Sequence, residues 1–284
     1  MTDFLQRIVG YTLTGDTREQ KAFILCGSGR NGKSTFLETI RYLMGCFAVQ
    51  MDFRTIVQRR GDSSHSDDIA KLAGARFVSA VEIESGSRLA EVTLKQLTGS
   101  DTIAARAVWK SAIEYRPQFK LFLGTNHLPV VTESSLAIWR RLCVIPFPVA
   151  IPENAIDLTL QDKLRRELPG ILRWAVEGCL HWQKDGLRIP EAAQLATERY
   201  REDMDVLSDF LSERCEFSPE ARVGATELYE AYCHYCQENN EERLSQKAFA
   251  NALRERQGGE RLIRKRSNKG RYYWFGLGLI HEDE

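Results

Sequence analysis

The stretch Gly27-Ser28-Gly29-Arg30-Asn31-Gly32-Lys33-Ser34-Thr35 satisfies every fixed position of the pattern G-x-x-x-x-G-K-[ST]. These residue types suit a phosphate chain. Small residues let successive backbone N–H groups turn toward one anion, Lys33 can reach outer phosphates, and the Ser34 hydroxyl can hold Mg²⁺. A glycine-rich surface turn could match the pattern by chance, so the flanking elements decide. Ala22-Phe23-Ile24-Leu25 is a short apolar run that reads as a buried strand. Thr35 to Met44 carries apolar residues at helical spacing. Strand, glycine-rich turn and helix N-terminus together form an anion site. Nucleotide binding is therefore assigned to the whole stretch from Gly27 to Thr35.

The other candidates lie at the ends of apolar runs. Arg76 to Val81 reads as a second buried strand that leads into Glu82-Ile83-Glu84. Carboxylates at the carboxyl edge of a strand beside a phosphate loop can hold Mg²⁺ and polarise water. If the strand continues that far, alternation puts Glu82 and Glu84 on one face. Phe119 to Gly124 reads as a third buried strand, ending in Thr125-Asn126-His127-Leu128-Pro129. Asn126 there suits an amide that orients water at a γ-phosphate, although a turn asparagine before Leu-Pro has the same signature. Trp139-Arg140-Arg141-Leu142 precedes the apolar Cys143 to Phe147. Paired arginines of this kind are often a solvated face. His65 falls in a polar loop with no second ligand at metal-binding spacing.

Between the second and third strands, Thr102 to Val108 and Ala112 to Pro117 read as a hairpin carrying Arg106, Trp109 and Lys110. Pro148 to Asp157 contains two prolines and reads as a linker. A helical region over 158–211 follows. Pro169 sits in the first turn of one helix, whose apolar side is Ile171, Leu172, Trp174, Ala175 and Leu180, and Pro190 opens the next. The last block has two helices, Thr226 to Cys236 and Leu244 to Arg256. A ribbon follows, Arg261 to Arg266 and Arg271 to Phe275, joined by Ser267-Asn268-Lys269-Gly270. Two helices and a hairpin predict a winged-helix module. From Arg254 to Arg271 there are eight basic residues and two acidic ones. Arg264, Lys265, Arg266 and Lys269 are thus candidate phosphate contacts on DNA; an edge hairpin that uses charge to prevent strand pairing is the other reading. Cys233-His234-Tyr235-Cys236 has no second C-x-x-C and reads as helix packing rather than half a zinc site.

Taken together, these motifs and their order resemble the helicase portion of the phage and plasmid primase–helicases. These are relatives of the poxvirus primase–helicase, in superfamily 3 of the AAA+ ATPases. The resemblance rests on Phe4 to Tyr11, the phosphate loop, Glu82, Lys95-Gln96-Leu97-Thr98-Gly99-Ser100-Asp101, Gly124 to Pro129, Trp139 to Leu142 and Tyr273 to Leu279. It implies an α/β P-loop ATPase with a central parallel sheet in the order 5-1-4-3-2. The expected organisation is an ATPase core over 1–150, a helical lid or linker over 151–205 and a winged helix over 206–284. The resemblance further implies ATP and Mg²⁺ as cofactors, held by Lys33 with Ser34 or Thr35. Glu82, with or without Glu84, would supply the acid. Asn126 would sense the γ-phosphate, and one of the paired arginines would reach a neighbour's ATP, Arg141 before Arg140 because it precedes the apolar strand as the family's finger does. Here the two carboxylates flank Ile83, whereas the family has an adjacent pair, so the partner of Glu82 stays open.

The implied protein is a DNA helicase of 3′→5′ polarity, acting as a homo-hexamer in replication of a phage, plasmid or genomic island. Arg106, Trp109 and Lys110 would grip single-stranded DNA in the ring, the C-terminal module would contact duplex, and a primase or polymerase could act in trans. A non-translocating, ATP-controlled origin-binding initiator would need the same ATP site. A nucleotide-switched DNA-binding regulator would not need the 106–110 hairpin.

Composition is compatible with this reading. The 284 residues carry no net formal charge, so nucleic-acid contact must come from local patches. An apolar fraction of 43% with 27% charged residues is that of a globular protein. The sequence has no apolar run of the roughly 18 residues needed to span a membrane, and its first residues lack a signal peptide's apolar core. Seven scattered cysteines point to reduced thiols and a cytoplasmic setting.

Overall fold

A computed structural model of the chain describes residues 1–58, 66–81, 86–106, 111–131, 136–205, 207–239, 243–255, 262–266 and 271–280. Glu82, Glu84, Trp109, Lys110, Lys269 and His65 lie outside these residues. The chain divides into two compact units, one built mainly from Met1–Thr132 with Ala137–Tyr200 and the other mainly from Arg201–Glu284.

The first unit is organised by a parallel sheet of β1 (Ala22–Cys26), β2 (Ala48–Gln50), β3 (Phe77–Val81), β4 (Lys120–Thr125) and β5 (Leu142–Pro146). Its order is β5-β1-β4-β3-β2, the order implied by the resemblance. β1 and β4 are inner strands buried along almost their whole length, with the apolar runs Ala22 to Leu25 and Leu121 to Leu123 at their centres, as strands covered on both faces must be. Between β3 and β4 stands an antiparallel hairpin of Ile103–Arg106 and Ala112–Tyr115, with Arg106 exposed at the end of its strand.

Helix α1 (Thr2–Thr12), helix α2 (Lys33–Met44), helix α3 (Glu91–Thr98) and helix α4 (Leu168–Asp185) belong to this unit. Phe4, Ile8 and Tyr11 of α1, Leu37 and Ile40 of α2, and Ala175 and Trp182 of α4 share one core with Phe23 of β1 and Phe122 of β4. The inward side of α4 differs from the sequence expectation. Leu172 and Leu180 are exposed, whereas Ala175, Gly178 and Trp182 are buried. The reason is the close approach of α1. A Cβ on Gly10 would lie 2.1 Å from the Cys179 nitrogen, and one on Gly178 would lie 2.1 Å from the Gln6 carbonyl oxygen. Only small residues fit that seam, so the bulky Leu172 and Leu180 face outward. Polar bonds lock the crossing: Gln6 Nε2 donates to the Trp174 carbonyl at 2.9 Å, and Arg7 donates to the Gly186 carbonyl at 3.0 Å.

Helix α5 (Glu191–Asp203) covers the exposed edge of β5. Thr197 Oγ1 accepts from the Val144 N–H at 2.9 Å and donates to the Ala193 carbonyl, which satisfies an edge amide. At the amino end of β4, Lys120 is almost wholly buried. Its ammonium donates to the Thr14 carbonyl at 2.6 Å and lies 4.3 Å from the centre of the Tyr11 ring. Burial pushes its pKa down to about 7.

The second unit contains helix α6 (Ser208–Arg214), strand β6 (Arg222–Gly224), helix α7 (Ala225–Glu238), helix α8 (Gln246–Glu255) and strands β7 (Ile263–Arg266) and β8 (Tyr272–Phe275). β8 is central in a three-stranded antiparallel sheet, ordered β7-β8-β6. Phe210, Leu228, Tyr232, Phe249, Leu253 and Trp274 form its core. Cys236 is buried in that core, while His234 is exposed and lies 3.1 Å from Glu238.

Gly178→Ala is expected to destabilise the first unit. Alanine favours an isolated helix by up to about 1 kcal/mol, but here it drives a methyl group into the α1 backbone, and overpacking of that kind costs ~1–3 kcal/mol or more. A lower urea midpoint with an unchanged slope would register that loss; an unchanged midpoint would show that the helices can separate freely.

Candidate active site

β1 ends at Cys26, and the chain reaches α2 through a loop with three left-handed residues: Gly29 (φ 100°), Arg30 (φ 48°) and Gly32 (φ 84°). Glycine adopts this conformation at no steric cost, while a residue such as arginine gives up about 1–2 kcal/mol. Arg30 is held there from outside the loop. Its carbonyl accepts from the Ile151 N–H at 2.7 Å, and its guanidinium meets Glu153 at 2.5 Å. Gly27 is required for closeness instead. A Cβ there would come within 2.2 Å of Asn31 Nδ2 and 2.3 Å of the Phe147 oxygen.

Lys33 opens α2 and is only 7% exposed. Its ammonium donates to the Gly27 carbonyl at 2.7 Å, to Asn31 Oδ1 at 2.9 Å and to Asn126 Oδ1 at 3.2 Å. Burial lowers its pKa, and the nearby Cys26 thiol partly offsets the effect. An ammonium ringed by oxygens at a helix N-terminus is the environment that phosphate oxygens would complete, so these residues fit a nucleoside triphosphate. Ser34 and Ser28 are exposed beside it, and a Cβ on Gly29 or Gly32 would meet nothing within 4 Å. The Ser34 hydroxyl fits a Mg²⁺ ligand by type. The acids expected to share that ion, Glu82 and Glu84, follow β3 outside the described residues.

The sheet brings Asn126 to the loop. Cys26 of β1 pairs with Thr125 of β4, so the residue after each strand lies at the same end of the sheet. Thr125 Oγ1 accepts from the His127 N–H at 3.1 Å and tightens the turn that presents Asn126. The paired arginines lie at the opposite end. Ala22 aligns with Leu142 and Cys26 with Pro146, and the Ala22 N–H donates to the Arg141 carbonyl at 2.7 Å. The length of β1 therefore separates them from their own loop, about 16 Å at some 3.3 Å per residue, farther than an arginine side chain extends. Arg141 is buried and donates to the Ala137 carbonyl at 2.6 Å, whereas Arg140 is exposed.

In the second unit, Arg264, Lys265 and Arg266 occupy β7, where Lys265 and Arg266 are exposed. Lys265 lies over the Phe275 ring at 5.6 Å and Arg266 over the Tyr272 ring at 6.0 Å. Sequence reasoning overlooked the segment 147–153 as part of the site. Two prolines marked it as a linker, and nothing in its residue types signals the bonds it makes to Arg30 and Asn31.

Comparison with known proteins gives two family matches. Residues 25–141 match a family of unknown function designated DUF5906, and residues 202–282 match the poxvirus D5 protein-like family. The chain is 31% identical over 231 residues to a candidate helicase of Acanthamoeba polyphaga mimivirus, covering 75% of this chain and 24% of that protein. It is 26% identical over 257 residues to a candidate helicase of Frog virus 3 (isolate Goorha), covering 84% of this chain and 26% of that protein. The chain thus spans about a quarter of the length of these curated relatives. Two apo structures of the NrS-1 C-terminal region superpose with TM-scores of 0.52 and 0.55 at 12% and 11% identity. Each superposition covers 98% of this chain and 71% of that one, a likeness of fold.

Asn126→Asp is expected to weaken nucleotide binding. The carboxylate would form an ion pair with Lys33 and compete with phosphate. A charge-assisted hydrogen bond contributes ~1.5–3 kcal/mol, so the dissociation constant should rise by roughly 10-fold to 100-fold. Titration with a fluorescent ATP analogue reads this directly, and unchanged affinity would separate Asn126 from the Lys33 site.

Proposed function

We propose that this chain, which belongs to the superfamily 3 primase–helicases related to the poxvirus D5 protein, is an ATP-driven DNA helicase that works in replication of a viral or other mobile element. The observation that carries the reading is the Lys33 ammonium held among Gly27, Asn31 and Asn126 at the carboxyl end of a β5-β1-β4-β3-β2 sheet. In this reading Lys33 holds the outer phosphates, Ser34 ligates Mg²⁺, and Glu82 with or without Glu84 polarises the attacking water. Asn126, released from Lys33, orients that water. ATP supplies the anhydride bond whose hydrolysis drives movement. The chain's own groups position, neutralise charge and exclude water.

The arginines support a shared site. Because Arg140 and Arg141 stand a strand's length from their own loop, any nucleotide they touch belongs to another copy. Arg140 is exposed and needs no rearrangement to reach out, while Arg141 would first release the Ala137 carbonyl. A closed ring, with a hexamer the form implied by the resemblance, lets each copy complete its neighbour. Arg106 stands on the hairpin that, together with Trp109 and Lys110, would line the ring's channel and grip one DNA strand, and 3′→5′ polarity follows the family. For the second unit, the order helix, strand, helix, helix, strand, strand supports the winged-helix reading. Arg264, Lys265, Arg266 and Lys269 would be its contacts to duplex phosphates. An origin-binding initiator that does not translocate would use the same ATP site, and displacement of a strand from a forked duplex separates the two.

Three measurements test this reading. Lys33→Ala should bind no ATP productively and lose hydrolysis and unwinding while keeping its circular dichroism spectrum; hydrolysis near the wild-type rate would overturn the assignment. Alanine at the functional arginine should leave ATP binding intact and reduce hydrolysis by roughly 10³–10⁵. Mixing that variant with Lys33→Ala should restore part of the activity, since an intact loop can then face an intact arginine. No effect from either arginine would remove the case for a shared site. Neutralising Arg264, Lys265 and Arg266 together should lower the salt dependence of duplex binding by up to about three counterions, roughly one per phosphate contact. An unchanged slope would assign the ribbon to protein contacts.

A further inference from the structure

The segment that leaves β5 is bonded to the phosphate loop along its length. The Phe147 N–H donates to the Cys26 carbonyl at 2.7 Å, extending the β1–β5 ladder one step beyond the strand. The Phe147 carbonyl then accepts from Asn31 Nδ2 at 3.0 Å. The Ile151 N–H reaches the Arg30 carbonyl, and Glu153 reaches the Arg30 guanidinium. Farther along, the helix Leu160–Arg166 sets Arg165 over the ring of Tyr42, near the other end of α2. The strap 147–153 is thus fixed to the end of β1 and to the loop that opens α2, and the helix that follows it meets the side chain of Tyr42 near the close of α2.

One amide spans the two halves of this arrangement. Asn31 Oδ1 accepts from Lys33 at 2.9 Å while Asn31 Nδ2 donates to Phe147. Both ends of the amide are used, and Gly27 packs so tightly against it that a Cβ would overlap Nδ2 and the Phe147 oxygen together. An amide supplies an acceptor and a donor at fixed separation, a combination that neither aspartate nor alanine reproduces.

We infer that Asn31 is a positioning residue that links the phosphate-binding ammonium of Lys33 to the strap 147–153, so that withdrawal of Lys33 toward a bound phosphate loosens the strap leading to the helices after β5. The inference rests on the proposed ATPase reading for its nucleotide arm. Its apo arm stands on hydrogen bonds present without nucleotide. Asn31 acts through Lys33 and Phe147, and the two atoms of its amide have separable effects.

The test measures hydrogen exchange at the Phe147 and Ile151 amides, together with steady-state hydrolysis, in wild type, Asn31→Ala and Asn31→Asp. In the apo protein both variants should exchange these two amides at least tenfold faster, because both lack the donor to Phe147, while the β1 and β4 amides stay unchanged. A non-hydrolysable ATP analogue should speed exchange at the strap in wild type and add little in Asn31→Ala. Asn31→Ala should lower kcat about tenfold with KM altered less than threefold, since Lys33 is misplaced but present; loss of one hydrogen bond to a charged group is of that order. Unchanged strap exchange in both variants overturns the inference. Faster exchange throughout β1 and β4 also overturns it, because Asn31 would then serve the fold alone. If wild type neither binds nor hydrolyses ATP, the ATPase reading fails and with it the nucleotide-driven loosening. The apo exchange then decides separately whether Asn31 secures the strap.

Discussion

Three oxygens surround the Lys33 ammonium: one from the loop backbone, one from Asn31 and one from the turn after β4. A cation withdrawn from water loses several kcal/mol of solvation unless polar groups replace it, and these acceptors provide the replacement. They can do so only if β1 and β4 run parallel, side by side and in register, because the loop follows one strand and Asn126 the other. The geometry of the site therefore depends on the central pair of strands. Their apolar centres, Ala22 to Leu25 and Leu121 to Leu123, let this pair of strands be buried on both faces.

The same parallel arrangement separates functions by end. Groups that follow β1 and β4 meet at the carboxyl end, while Arg140 and Arg141, which precede β5, stand at the other. A parallel sheet cannot bring both sets to one point within a single chain. Under the proposed function, chemistry that uses both sets would call on a second copy of the chain. The exposed edge of β5 is meanwhile occupied by Thr197 of α5, so that this strand does not recruit another by backbone pairing.

Around this centre the helices pack under steric rules that are independent of the chemistry. α1 and α4 touch backbone to backbone at Gly10 and Gly178. The contact turns α4 so that Trp182 enters the core against Tyr11, with the two rings 4.5 Å apart. Trp182 in turn donates from its indole to Glu19 at 2.8 Å, and Lys120 is buried against the other partner, Tyr11. This cluster closes the amino end of the sheet, away from the loop.

By itself the sequence determined the local features: the loop with its glycines, the strands that read as short apolar runs, the hairpin, and the alternation of helix and ribbon near the C-terminus. These follow from nearest-neighbour physics, the φ freedom of glycine, the period of apolar residues and the fixed spacing of a phosphate-binding turn. The strand order 5-1-4-3-2 was legible only through resemblance to a family, since no period in the sequence encodes which strands pair. Tertiary structure alone decided which side of α4 faces inward, because the periodicity that selected Leu172 and Leu180 contains nothing about the close approach of Gly10. It alone buried Lys120, a residue whose type argues for solvent, by supplying the Thr14 carbonyl and the Tyr11 ring from a distant segment. It alone made the proline-bearing segment after β5 a partner of the phosphate loop. Those bonds run largely through backbone carbonyls and amides, which every residue type carries, so no choice of side chains announces them.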